Sequence, residues 1–311
     1  MANISGLYVF GDSLSDQGNV YSITGHTVPP PEYSDTVNFG RFTNGLNYVD
    51  YLASTLGLSV TPSTSGGHNY AYGSACTDSN PIPGALGLLQ QRNVYLAGLG
   101  PGGTADPSAL YIVWTGANNL KDVIQGVVPP QDAQASLQAA LGDVGNVIGS
   151  IAGAGARNIL VPNMPNLGLV PLVTQGGPPV QAVTDLAAAF NVGLDTVLNQ
   201  VQAHVPSVDL IRFDDFDLLT EAYTHPSEFG FTNVTTACYS KFVESGGTVC
   251  PNPAEYLSWD GFHPTTFTDQ ILAAEMLAAI PEPGSLALLA IALVACRFTL
   301  RVGKCMHLKA E

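Results

Sequence analysis

A serine hydroxyl becomes a nucleophile only when a base takes its proton and N–H donors receive the oxyanion that forms on the attacked carbonyl. The segment Phe10-Gly11-Asp12-Ser13-Leu14-Ser15-Asp16-Gln17-Gly18-Asn19 sets such a hydroxyl directly after the apolar run Leu7 to Phe10, so Ser13 reads as a nucleophile at the end of a first β-strand. The partners lie far off in sequence. In Trp259-Asp260-Gly261-Phe262-His263-Pro264-Thr265, Asp260 and His263 are close enough for one loop or helical turn to carry both. Between the two ends stand Gly73, in Asn69-Tyr70-Ala71-Tyr72-Gly73-Ser74-Ala75, and Asn118, in Thr115-Gly116-Ala117-Asn118-Asn119.

With these four blocks in this order, from about Leu7 to Ile280, the chain resembles the GDSL lipase/esterase family of SGNH hydrolases. The resemblance implies Ser13 as nucleophile, His263 as base and Asp260 as the group that orients the imidazole. The backbone N–H groups of Ser13 and Gly73, with the side-chain amide of Asn118, would form the oxyanion hole. It also implies hydrolysis of carboxylic esters through an acyl-enzyme, without metal or cofactor. A carbohydrate O-acetyl esterase and an acyltransferase use the same site, and a non-catalytic surface binding protein on a hydrolase fold is the alternative from another class. The chain departs from the pattern once: the third block usually reads Gly-x-Asn-Asp, and Asn119 replaces the final acid.

To place these residues, the sequence offers strand-like runs at Leu7 to Phe10, Leu110 to Trp114, Ile159 to Pro162 and Val208 to Phe213. Helical spacing marks Asn47 to Leu56, Asp132 to Ala152, Val180 to Ala203 and Thr265 to Ile280. Strands alternating with helices indicate a parallel sheet with helical crossovers. Such a sheet gathers its site on loops at the carboxyl ends of the strands. The expected fold is therefore α/β, and the resemblance makes it a three-layer α/β/α sandwich of flavodoxin-like architecture. Gly142, Gly145 and Gly149 suit close packing of their helix. The irregular inserts Tyr21 to Thr43 and Thr224 to Tyr256 bring Tyr33, Phe39, Tyr223, Phe229, Phe231 and Phe242, either to line an acyl or aryl pocket or to pack the inserts down. The run Gly98 to Gly103 lacks the Lys-Ser/Thr of a phosphate loop and reads as a surface loop. Asp214, Asp215 and Asp217 read as acids favoured at a helix N-terminus rather than as a cation site.

The 311 residues carry a formal charge of −15, which argues against nucleic acid or an anionic membrane surface as partner. Charged residues make up only 11% of the chain and hydrophobic ones 46%, a balance ordinary for an exported protein. Of the ten basic residues, Arg297, Arg301, Lys304 and Lys309 fall in the last fifteen positions. This end, Pro281-Glu282-Pro283 followed by the apolar run Ser285 to Cys296 and the basic cluster, resembles the PEP-CTERM sorting signal of bacterial exported proteins. The reading divides the chain into a hydrolase domain, 1–280, and a sorting tail, 281–311, that inserts in the membrane before sorting. Export calls for a signal peptide, and none is visible ahead of Leu7, so a start upstream of Met1 or a trimmed leader is expected. Cys238 and Cys250 flank a polar loop before the His263 block: a disulfide in an oxidising compartment, or two buried thiols. Cys76 reads as a small packing residue.

Overall fold

The computed structural model describes residues 4–34 and 37–281. Apart from Pro281 itself, the expected sorting tail lies outside the described residues. The elements that position the site are, in chain order, β1 (Leu7–Gly11), α1 (Tyr48–Leu56), α2 (Leu88–Gly98), β2 (Leu110–Trp114), α3 (Ala117–Ile124), α4 (Ala133–Ala154), β3 (Asn158–Pro162), α5 (Val180–His204), β4 (Asp209–Phe213), α6 (Asp215–Thr224) and α7 (Thr266–Ala279).

The four apolar runs become four parallel strands in the order β1-β2-β3-β4. Strands covered on both faces read as continuous apolar runs, and all five residues of β2 are buried. A further segment, 68–72, lies along the free edge of β1 without becoming a regular strand. There Val9 donates to the His68 carbonyl (3.1 Å), and Tyr70 and Tyr72 donate to the carbonyls of Val9 (2.7 Å) and Gly11 (3.2 Å). Counting this segment second in sequence gives the spatial order 2-1-3-4-5, the flavodoxin-like arrangement.

Side chains alternate across the sheet. Phe10, Tyr111, Val113, Ile159 and Val161 share one apolar core with Leu88 and Tyr95 of α2, Val147 and Ile148 of α4, and Leu194 and Leu198 of α5. On the other face Tyr48, at the start of α1, packs edge-on against Trp114 and donates its backbone N–H to Asp269 of α7 (3.1 Å). Helices thus cover both faces. The Asn47 side chain accepts from Asp50 N–H, and Asp50 accepts from Asn47 N–H, a capping box that sets where α1 begins. A Cβ on Gly145 would collide with Val197, so this glycine of α4 does let α5 approach closely; Gly142 faces open space.

Helix α2 is not evident from its sequence. Its buried positions are Leu88, Gln91 and Tyr95, and a polar residue in the middle of the stripe hides the period. Gln91 is buried because it serves the backbone at the end of β1. Its amide accepts from Gly11 N–H (2.9 Å) and donates to the Gly11 carbonyl (2.8 Å), which also accepts the Tyr72 N–H, so both polar groups of this last strand residue are satisfied as the chain turns toward Ser13.

Candidate active site

Ser13 stands two residues beyond β1, in a turn closed by Ser15 and Asp16 N–H groups on the Asp12 carbonyl (3.1 and 3.0 Å). Just before it, Gly11 sits so close to Trp114 that any Cβ there would strike the Trp114 carbonyl oxygen. His263 and Asp260 arrive from the loop before α7. Ser13 Oγ lies 2.8 Å from His263 Nε2, and His263 Nδ1 lies 2.7 Å from Asp260 Oδ2. With Nδ1–H donating to the carboxylate, Nε2 is left as an acceptor for the serine proton. Asp260 is held from its other side as well: Oδ1 accepts the backbone N–H groups of Phe262 and His263, both at 2.7 Å.

A fourth donor to Asp260 comes from an unexpected place. Tyr33, in the first insert, donates its hydroxyl to Asp260 Oδ2 and accepts the Val243 N–H (2.8 Å) from the second insert. Burial, then the Asp260 charge, pushes this phenol well above its usual range, so it remains a proton donor. Of the aromatics expected in a pocket or in packing, only Phe229 and Phe231 line the large pocket beside His263. Phe242 stacks on the His263 ring (5.7 Å between centroids, 8° between planes). Phe39 lies on the surface against Tyr21, and Tyr223, at the end of α6, packs in a cluster with Ala222, Phe231, Val234 and Leu257. A disulfide joins Cys238 to Cys250 and closes the loop that carries Phe242 and Val243. Tyr239 of that loop forms a compact aromatic cluster with Tyr33 and Trp259.

The donors expected for an oxyanion lie around the loop 73–77. Asn118, in the first turn of α3, donates Nδ2 to the Ala75 carbonyl (3.1 Å) and accepts from Lys121 (3.0 Å), which leaves one amide hydrogen without an acceptor among the described residues. Asn119 accepts the Thr77 N–H (3.2 Å), so in place of the usual acid it still supports the loop. Gly73 departs from expectation. Its N–H donates to Asp16 Oδ2 (2.8 Å), beside Val20 N–H, while Oδ1 takes those of Gly18 and Asn19, both at 2.7 Å. The Gly73 carbonyl is also bound, by Asn80 (2.9 Å), and a Cβ at Gly73 would collide with Phe42, whose ring packs on His263. The next residue, Ser74, takes a left-handed backbone (φ 63°), and its N–H meets no acceptor among the described residues. Sequence reasoning did not single out Ser74, because a backbone conformation that L-residues rarely adopt leaves no mark in the residue types.

Next to His263 opens a predominantly apolar pocket. Leu14, Ala117 and Phe262, the neighbours of Ser13, Asn118 and His263, form one part of its wall, and Leu219, Phe231 and Leu257 another. Burial first, then the Asp122 charge, pushes the Cys76 thiol up to about 12, so it stays protonated and inert near neutral pH. Asp214 accepts the Asp217 N–H (3.1 Å) as the cap of α6. No group of three His, Cys, Asp or Glu side chains among the described residues is placed to hold a metal ion.

An α/β sheet with a serine, a histidine and a carboxylate gathered at its carboxyl edge is the architecture of a serine hydrolase. The GDSL-like lipase/acylhydrolase model matches residues 7–276, and the chain belongs to that family of hydrolases acting on ester bonds. A GDSL esterase/lipase of Arabidopsis thaliana is 27% identical over 326 residues, covering 89% of each chain. Esterase EstA of Pseudomonas aeruginosa is 30% identical over 329 residues, covering 92% of this chain and 48% of EstA, about half its length. Among solved structures, LAE5, an alpha/beta hydrolase enzyme from the metagenome of Lake Arreo, shares the fold at 13% identity and a TM-score of 0.50, over 90% of this chain and 97% of that one.

Proposed function

We propose that the chain hydrolyses esters of apolar acyl groups through an acyl-enzyme on Ser13. The observation that carries this reading is the continuous relay from Ser13 Oγ to His263 Nε2 (2.8 Å) and from His263 Nδ1 to Asp260 (2.7 Å), opening on an apolar pocket. As Ser13 Oγ bonds to the carbonyl carbon, its proton passes to His263 Nε2 and the imidazolium is stabilised by Asp260. The oxyanion is received by the N–H groups of Ser13 and Ser74 and the free amide hydrogen of Asn118, with Gly73 fixing the loop that presents Ser74. Collapse of the intermediate breaks the bond to the alcohol, which takes the proton from His263. Water then enters by the reverse sequence and frees the acid.

The wall of Leu14, Ala117 and Phe262 favours a carbon chain over the acetyl group of a decorated sugar. A fluorophosphonate probe should label Ser13, identified by peptide mapping, and a panel of p-nitrophenyl esters from acetate to palmitate should peak beyond acetate. Labelling elsewhere would sink the nucleophile, and a peak at acetate would favour the carbohydrate esterase.

We further infer export, with the PEP-CTERM-like segment from Pro281 as the sorting tail. Its supports are the sequence of that segment and the Cys238–Cys250 disulfide, a bond that persists in oxidising compartments. No helix among the described residues is long and apolar enough to cross a membrane. Ending the chain at Ile280 should leave esterase activity intact and change fractionation in a host with the sorting machinery. Unchanged fractionation there would refute the tail's role.

A further inference from the structure

The pocket beside His263 is apolar along helix α6 except at one point. Positions 215, 218, 219 and 222 fall on one face at helical spacing, and all four line the pocket. Three of them are Leu218, Leu219 and Ala222; the fourth is Asp215. Its side chain is not there to cap the helix, since Asp214 does that and also accepts from Asn163 (2.8 Å). Asp215 is 4% exposed, yet its carboxyl receives no hydrogen bond from any described residue. Leaving a buried carboxyl without a partner is unfavourable, and an unpartnered one facing a cavity points to a ligand group that supplies the missing bond.

The sheet separates the strand ends that lead to this carboxyl and to the nucleophile. Gly11 pairs with Trp114, and Pro162 with Phe213, at the carboxyl ends of the four strands. Ser13 and Asp215 each follow that row by two residues, and the strand ends that lead to them, three strands apart, are separated by about 14 Å for ~4.8 Å per strand. A ligand group that meets Asp215 is therefore well along a chain whose carbonyl is at Ser13. Burial, then the neighbouring Asp214 charge, pushes the Asp215 carboxyl up to about 7, so near neutrality it exists both as acid and as carboxylate. A hydroxyl suits either form, because it donates to the carboxylate and both donates to and accepts from the acid.

We propose that Asp215 is a specificity-determining residue that hydrogen-bonds a hydroxyl carried along the acyl chain, so that the preferred substrates are esters of hydroxylated, otherwise apolar acids. This rests on the acyl-pocket reading above. A plain methylene at the same place leaves the carboxyl unpaired inside the complex, and a site built for a hydroxyl discriminates against the analogue that lacks it.

The test uses p-nitrophenyl decanoate and its isomers bearing a hydroxyl at successive carbons from mid-chain to the end, read as the ratio of kcat/KM to the plain ester. In the full chain, one isomer should be favoured roughly 10-fold, the usual worth of one net hydrogen bond. In Asp215→Leu that preference should be lost or inverted, and Asp215→Asn should keep part of it with the same optimal position. Circular dichroism reports folding, and if the leucine variant does not fold, the near-isosteric asparagine variant alone decides. A preference unchanged in the variants, no preference in the native protein, or a stronger preference for a quaternary ammonium at that position would each overturn the assignment. Failure to turn over any decanoyl ester would overturn the acyl-pocket reading itself, whereas turnover of the plain ester without hydroxyl preference removes only the role of Asp215.

Discussion

The two halves of the catalytic relay are held by different physics. Ser13 grows out of the parallel sheet, and its turn is fastened by buried hydrogen bonds: Gln91 to both polar groups of Gly11, and the Asp16 carboxylate to four backbone N–H groups from two segments. His263 and Asp260 belong instead to a region with little regular structure, held by a disulfide, an aromatic cluster and the Tyr33 hydroxyl. A change on the sheet side should therefore cost fold and activity together, while one on the insert side should cost activity before the sheet melts.

The largest expected effect separates chemistry from both. Ser13→Ala should lower kcat by roughly 10⁴ to 10⁶, with a melting temperature unchanged to within about 2 °C. Single-turnover assays and calorimetry on the purified protein check this, and near-native turnover would break the assignment of the nucleophile.

Next in size is Asp16→Ala, which strands four N–H groups at once, three of them buried, and should cost about 3 kcal/mol or more. Urea titration should show the midpoint and the activity falling in parallel. A stable variant with only its activity lost would mean that Asp16 serves the site rather than the fold.

On the other side, replacing Cys238 and Cys250 together by serine removes the closure of a short loop, worth roughly 2 to 4 kcal/mol. Because the loop carries Phe242 against His263, activity should decline at lower urea than the far-ultraviolet signal of the sheet. Coincident transitions would show that the insert and the sheet unfold as one unit and erase the contrast.

The smallest effect sharpens the comparison most. Tyr33→Phe removes the hydrogen bond to the buried carboxylate together with the acceptor of the Val243 N–H, and should lower kcat roughly 10-fold with little change in KM. A change in KM alone would place Tyr33 in substrate binding instead.

Legibility in the sequence follows the same divide. The strands were readable because β1 to β3 are covered on both faces and become nearly unbroken apolar runs, and α7 because it keeps its apolar spacing. Asp260 and His263 were readable because they are neighbours in sequence. The supports of the site were not. Gln91 hides α2 by interrupting the very stripe that would reveal it, and its reason for burial is a peptide 80 positions away. Tyr33 is separated from Asp260 by 227 residues, so only the folded chain shows that an insert aromatic is a hydrogen-bond donor. Gly73 and Ser74 are adjacent in one block, and which of them keeps a free N–H depends on where the Asp16 carboxylate lies.

The irregular segment along β1 bears on how copies of this chain meet. A strand at the margin of a sheet normally offers a row of unpaired N–H and carbonyl groups on which another chain can template. From Val9 to Gly11 that row is used up, by His68, Tyr70, Tyr72 and the Gln91 side chain, so no second chain can add a strand beside the nucleophile. The opposite margin, β4, displays Asp209 and Arg212, with Arg212 paired to Asp195, and charged side chains there disfavour edge-to-edge stacking. The sheet is thus guarded at both margins by different means, and crowding of the chain at high concentration meets no open edge next to Ser13.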